Sequence, residues 1–188
     1  MKTGRNLSAL ALSVAAACLA GFVNAQDVTT RVAEASDWQV FEGTGPRTCW
    51  AVTAPKKTVN TRNGRELRIC QPGEGPPDCV RRGDILLFVT YQPARDVAGE
   101  VSFTGGYPFA NGSTATLEID GATFELFAQD EHAWAATPAE DRKIVTAMKR
   151  GADAIVTARS SRGTQTKDTF SLIGATAMIE EAEKRCGS

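Results

Sequence analysis

The clearest pattern in the chain is an alternation of apolar and polar positions that begins at Thr114. Ala115, Leu117 and Ile119 alternate with Thr114, Thr116 and Glu118, and beyond Asp120-Gly121 the residues Ala122, Phe124 and Leu126 alternate with Thr123, Glu125 and Phe127. A period of two is that of a strand with one buried face, and Asp-Gly is a two-residue hairpin turn. Turn and pattern demand the same register, with Ile119 opposite Ala122, Leu117 opposite Phe124 and Ala115 opposite Leu126, all six on one face. Shorter strands are predicted at residues 38–41, 49–53, 67–71, 154–159 and 166–173, separated by turn-rich segments such as Gly43-Thr44-Gly45-Pro46 and Asn63-Gly64. Residues 85–91 form a continuous apolar run, which predicts a central strand buried on both faces. Residues 26–36 read as a flexible polar lead-in.

Two segments switch to a helical period. Thr137-Pro138-Ala139-Glu140 is a capping box with proline at the first helical position, and it predicts a helix over about 138–150 that stops at Gly151. Ile144, Val145 and Met148 form its inward face. A second helix, over about 175–186, presents Ala175, Met178, Ala182 and Cys186 along one stripe, with Glu180–Lys184 and Glu181–Arg185 as outward pairs. The predicted fold is mainly β, a single-domain sandwich or curled barrel over 37–188 with two helices packed on it.

The N-terminus is different. Lys2 and Arg5 precede an apolar run from Leu7 to Val23, and Val23-Asn24-Ala25 is a small-x-small cleavage site. Residues 1–25 therefore read as a signal peptide cleaved after Ala25. Lipidation of Cys18 after Ala15-Ala16-Ala17 and an uncleaved anchor are the weaker readings, since the run is short for a bilayer span. Of 21 basic and 22 acidic residues, removing Lys2 and Arg5 leaves 19 against 22, a net charge of −3. That mild acidity argues against nucleic acid as a partner. The remainder of the chain has no long apolar stretch, so no transmembrane span is expected after leader removal. The expected location is periplasmic or secreted.

Loss of Cys18 also turns five cysteines into four, an even set suited to disulfides in an exported chain. Four cysteines allow three connectivities. Cys70 and Cys79 bracket a Pro- and Gly-rich loop whose ends a disulfide could hold together, which favours joining them and, by elimination, Cys49 with Cys186. The longer link would contribute more stability, about 4 kcal/mol in the chain-entropy account. No metal is expected, because His132 is the only histidine and no C-x-x-C occurs.

Candidate chemistry is sparse. There is no G-x-S-x-G, H-E-x-x-H, Walker A loop or G-x-G-x-x-G, and Gly43-Thr44-Gly45 lacks both a third glycine and a following helix. His132 is expected in a solvated turn, with Trp134 anchored in the core. Glu118 and Glu125 lie diagonally on the polar face of the hairpin at a spacing of about 7–8 Å, which a glycosidase-like pair could use, although solvent-facing charges are the simpler reading. Arg62, Arg65, Arg68, Arg81 and Arg82 cluster around the 70–79 loop and would attract anionic lipid or glycan if not merely solvated. Asn111-Gly112-Ser113 is read as a turn.

The C-terminal half then carries an ordered set of motifs. Gly106-Tyr107-Pro108-Phe109 with Gly112-Ser113 comes first, then Ala133-Trp134 and Ser160-Ser161-Arg162-Gly163-Thr164, and finally Asp168-Thr169-Phe170-Ser171-Leu172 followed by Gly174 and Ala177. In order and spacing they resemble the invasion-associated locus B family over roughly residues 38–186. The resemblance implies an exported, β-rich alphaproteobacterial envelope protein linked to host-cell invasion, with no catalytic residue and no cofactor to carry over. Its Ser160–Lys167 turn, with Arg159, Arg162, Gly163 and Lys167, is the candidate binding loop.

The leading expectation is a non-enzymatic cell-envelope protein that meets an envelope or host surface component, whether protein, lipid or glycan. The alternatives are a periplasmic carboxylate-dependent hydrolase using Glu118 and Glu125, and a small inhibitor or chaperone-like module.

Overall fold

The structure, a computed structural model, describes residues 28–187. The predicted signal peptide, its cleavage point after Ala25 and the first residues of the lead-in lie outside them. The strands are β1 (Thr29–Ala35), β2 (Trp38–Thr44), β3 (Arg47–Thr53), β4 (Lys57–Arg62), β5 (Arg65–Ile69), β6 (Cys79–Val80), β7 (Leu86–Gln92) and β8 (Val97–Thr104). They continue with β9 (Thr114–Ile119), β10 (Ala122–Gln129), β11 (His132–Ala135), β12 (Asp153–Arg159) and β13 (Gln165–Ser171). Helix α1 (Pro138–Met148) precedes β12, and α2 (Ala175–Cys186) ends the fold.

The central hairpin forms in the register its pattern requires, with Ile119 opposite Ala122, Leu117 opposite Phe124 and Ala115 opposite Leu126. Asp120 and Gly121 both have positive φ, as a type I′ turn needs. The strands join in one sheet, in the order β1-β2-β3-β7-β8-β11-β10-β9-β12-β13-β4-β5-β6, antiparallel except for the short pairing of β5 with β6. This sheet is open, so the barrel alternative does not close. It folds over one shared core instead. Trp38 Nε1 donates to the Ser171 carbonyl at 2.9 Å, and Phe103 meets Phe170 edge-on at 6.1 Å, so strands distant in the sheet order face each other.

Two expectations about strands are corrected. Residues 29–35 are not a loose lead-in but the edge strand β1, paired with β2 and packed on the core through Val32, Ala33 and Ala35. Its ladder is made by main-chain groups, which polar side chains do not advertise. Strand β7 is interior, between β3 and β8, but only Leu87, Val89 and Tyr91 are buried. Leu86 and Phe88 lie on its outer face, half-covered beside Phe41, Trp50 and Val52, with Phe41 and Trp50 stacked at 6.2 Å. An apolar strip on the outside of the sheet produced the continuous run.

Helix α1 begins as predicted, with Thr137 Oγ1 accepting from the Glu140 amide at 3.2 Å. The Glu140 carboxylate turns to Lys143 at 2.7 Å, so the capping box is half made. Gly151 has no positive φ; a Cβ there would lie 2.6 Å from Ile119 Cγ2, so close packing rather than a left-handed stop selects glycine. Along α2, Ala175, Met178, Ala182 and Cys186 are buried together with Ile179. Glu181 pairs with Arg185 at 2.7 Å, whereas Glu180 reaches Lys149 at 3.3 Å, linking the two helices in place of the expected pair with Lys184. Gly174, at φ +93°, opens α2 where a Cβ would sit 2.3 Å from the Ala35 carbonyl oxygen.

The disulfides are Cys49–Cys186 and Cys70–Cys79. The first clips α2 to β3 across 137 residues of sequence. Glu42 lies within reach of its two sulfurs, but they are bonded to each other and Glu42 is held by Arg47 and Arg185, so the group is not a metal site in this redox state. Breaking the long link with a Cys49→Ser/Cys186→Ser pair should lower the unfolding free energy by about 5 kcal/mol, against about 2–3 for the short one, as read from urea midpoints.

Helix α1 is tied to β8 by Asp141, a buried residue whose Oδ1 accepts from the Val101 amide at 2.8 Å. Burial outweighs that bond and raises its pKa to about 6, with Glu100 adding to the rise. The folded state therefore holds this proton more tightly than the unfolded chain. The resulting stabilisation is complete below about pH 4 and is lost as pH rises through 6. Asp141→Asn keeps the acceptor and removes the charge. Its stability should match that of the parent near pH 4 and exceed it by about 2–3 kcal/mol at pH 7, measured by denaturation at both pH values.

Candidate functional site

Two loops that cross beside the sheet edge organise a cavity in which several of the chain's arginines meet. Leaving β6, the chain passes through Arg81-Arg82-Gly83, and Gly83 N donates to the Gly106 carbonyl at 2.8 Å. Gly106 has φ +69°, and a Cβ on it would stand 2.6 Å from Gly83 backbone atoms, so only glycine allows this crossing. The crossing turns the Arg82 side chain inward, where it is 1% exposed, its remaining exposure being main chain.

Arg82 is consumed there. Its Nη1 and Nη2 donate to Asp168 Oδ1 and Oδ2 at 2.8 and 2.7 Å, Nε donates to the Gly105 carbonyl at 2.9 Å, and Nη1 also reaches Asn60 Oδ1 at 3.2 Å. The guanidinium lies 5.0 Å from the centroid of the Tyr107 ring. Asp168 is fully buried because β13 alternates, sending Thr166, Asp168 and Phe170 inward and Lys167 out. Tyr107 bonds the Thr166 hydroxyl, and burial raises its pKa to about 12, so it remains neutral at physiological pH.

Around this floor stands a cavity of about 280 Å³. One wall is Gly106-Tyr107-Pro108 and another is the turn from Ser160 to Thr164. These motifs are knitted together by Ser161 N to the Pro108 carbonyl at 2.8 Å and Ala110 N to the Arg159 carbonyl at 2.9 Å. Pro76, on the loop that the Cys70–Cys79 bond holds, closes the third side with Val80 and Arg81, which follow that loop. Arg62, at the end of β4, enters from the fourth and directs Nε and Nη2 to Thr164 Oγ1 at 3.0 and 2.7 Å. Arg162 completes the lining, and Glu131 is its one carboxylate.

The cationic cluster expected around the 70–79 loop divides. Arg65 pairs with Asp78 at 3.3 Å, and Arg68 grips Glu74, with Nη2 to Oε1 at 2.9 Å. Arg68 and the Gln71 amide together hold the Glu74 carboxyl down to about 2. Arg82 is neutralised by Asp168. Among the described residues, Arg62, Arg81 and Arg162 have no carboxylate partner.

The candidate binding loop divides as well. Arg162 lines the cavity, while Arg159 and Gly163 border a separate shallow hollow with Asn63 and Gly64, and Lys167 points outward from β13. The four are not brought to one place, because Arg162 and Gly163 lie in the turn itself while Arg159 ends β12 and Lys167 sits within β13. His132 is exposed on β11 and stacks on Trp134 at 5.7 Å. Ala133, not Trp134, is the buried residue there, by the same alternation. Glu118 and Glu125 are both exposed and lie outside the cavity.

Asn60, Tyr107, Thr164 and Thr166 were not among the sequence candidates. A signal did exist: Asp168 shares the parity of Phe170, and a carboxylate on a core face must have a partner. The cavity is rich in donors, with guanidiniums and the hydroxyls of Ser160 and Ser161 facing a single acid. It can bind oxygen-rich anions.

Removing one member of the buried pair should be costly. Asp168→Ala is expected to destabilise the fold by about 3–5 kcal/mol, whereas Arg82→Met/Asp168→Leu together should lie near neutral; a denaturant series on both variants checks it.

Comparison with known families adds the remaining observation. The sequence model described as invasion associated locus B (IalB) protein matches residues 84–183. No curated protein and no solved structure matches the chain. The matched segment contains two cavity walls and Asp168, whereas Arg62, Arg81 and Arg82 precede it. With more than half of the chain matched, and with the motifs from Gly106 to Gly174 in place, the chain belongs to the invasion associated locus B (IalB) family.

Proposed function

We propose that this protein is a non-enzymatic component of the cell envelope, located outside the cytoplasm, that binds an anionic envelope or host surface component through the arginine-lined cavity. One observation carries the reading: Arg62, Arg81 and Arg162 line a single cavity and none of them meets a carboxylate among the described residues. A guanidinium without an acid keeps its charge and its fork of donors for an oxyanion, and here three of them border one concave site.

Three further observations support the setting. The family is linked by its description to an invasion-associated locus. Two disulfides fit an oxidising compartment. The apolar run that follows Lys2 and Arg5 has the composition of an export signal. No described helix is long and apolar enough to cross a membrane. The hydrolase reading draws no support from the geometry, because Glu118 and Glu125 are both exposed and neither lines the cavity. No observation favours the inhibitor or chaperone-like reading over the binding role.

A deletion strain complemented with the parent gene or with Arg62→Gln/Arg162→Gln tests the role. The variant should stay folded, with a urea midpoint lowered only by loss of the two Arg62 bonds to Thr164, yet fail to restore envelope integrity or host-cell adhesion. Full complementation by a folded variant would sink the proposal.

A further inference from the structure

We infer that the cavity is built for a phosphate monoester, the inference resting on the binding role proposed above. The starting point is what each guanidinium has left to give. Four of the five N–H groups of Arg82 are engaged, and its charge is neutralised by Asp168, so it supplies a flat, fixed floor and not a ligand contact.

Arg62 is the reverse case. Nε and Nη2 both donate to Thr164 Oγ1, an uncharged acceptor, which fixes the guanidinium plane and leaves its full charge and Nη1 available. Thr164 is itself held, its amide donating to Ser160 Oγ at 3.1 Å and its carbonyl accepting from Ser160 N at 2.9 Å. Arg81 is steadied at 3.3 Å by the Glu74 main-chain carbonyl, again without neutralisation. A ligand arriving here breaks no ion pair at these residues and finds Arg62 already held, which is preorganisation in binding; Arg162, exposed and without a side-chain hydrogen bond among the described residues, is ordered by the ligand itself.

Charge and geometry then select the ligand class. Three unneutralised guanidiniums against Glu131 leave a local excess of two positive charges in the lining. A phosphate monoester carries about −1.5 to −2 near pH 7 and presents three strong acceptor oxygens. A carboxylate brings one charge and two oxygens, which one bidentate arginine satisfies, and would leave the others unpaired. Ser160 and Ser161 are polar residues on the same wall, the Ser160 hydroxyl oxygen already accepting from the Thr164 amide. Tyr107, Pro108, Pro76 and Val80 form an apolar side on which the organic part of the ester would lie. A volume of about 280 Å³ suits a glycerol- or hexose-sized group within the cavity. The same chemistry is offered by a soluble sugar or glycerol phosphate and by a phosphomonoester lipid headgroup.

Calorimetric titration of the purified protein with glycerol phosphate, with glucuronate as the carboxylate comparator, tests the class. Saturable binding of glycerol phosphate is expected, weakened ~10-fold or more by Arg162→Gln, which should leave the urea midpoint unchanged, and by Arg62→Gln, which should lower that midpoint through loss of the two bonds to Thr164. Cosedimentation with phosphatidylcholine vesicles, with and without phosphatidic acid, separates the sources. Selective capture by phosphatidic acid points to a lipid headgroup, and binding confined to glycerol phosphate points to a soluble or glycan ester; either supports the inference. Glucuronate binding as tightly as glycerol phosphate would overturn the ligand class while leaving an anion-binding protein in place. No saturable binding of either anion would overturn the binding role as well.

Discussion

The contact between Arg82 and Asp168 is the constraint on which the site depends. Taking a carboxylate and a guanidinium out of water costs several kcal/mol per ion, and the cost is offset only where geometry is good and the remaining donors are satisfied. Both conditions hold: the pairing is bidentate at 2.8 and 2.7 Å, and Gly105 and Asn60 take further N–H groups. Such a pair adds little net stability, yet any arrangement that separates it leaves a bare charge inside. It therefore selects one relative placement of β13, β4, the loop after β6 and the loop after β8. Those four segments are the frame of the cavity.

A second set of contacts holds the open sheet in its folded-over shape. Trp38 reaches the Ser171 carbonyl, Gly174 lets α2 start against the Ala35 carbonyl, and Cys186 bonds Cys49 at the other end of the same helix. Helix α2 is thus fixed at both ends to the first three strands. The Phe-Ser-Leu-x-Gly step into that helix, the most specific part of the family resemblance, is a close-approach device: Phe170 fills the core, Ser171 accepts the indole, and Gly174 clears the edge strand.

Local patterns were legible where one physical requirement decided them. The Asp120-Gly121 hairpin appeared in the predicted register because turn geometry and face burial both specify it. Both helices appeared at their predicted starts, and both disulfides paired as the loop argument favoured. Strands β1, β4, β6, β8 and β11 were not legible; a polar strand such as Lys57–Arg62 is stabilised by main-chain ladders on both sides and carries no apolar alternation. The candidate site was legible only in outline. Arg62, Arg81, Arg82 and Arg162 were all noticed, but in two separate groups, each mixed with arginines that serve elsewhere.

The sequence by itself determined the strand period, the central hairpin, the two helices, an even set of cysteines and the family, because each is written in spacings of a few residues or in an ordered set of motifs. Only the tertiary structure decided which charges remain free. Arg82 and Asp168 are 86 positions apart, and Arg62 and Thr164 are 102 apart. Neither distance has a local signature, yet these two contacts separate the arginine that is spent from the arginine that is available. Coulomb attraction and desolvation act through space, so the fold had to bring the partners together before the chain's near-balanced charge could resolve into one cationic cavity.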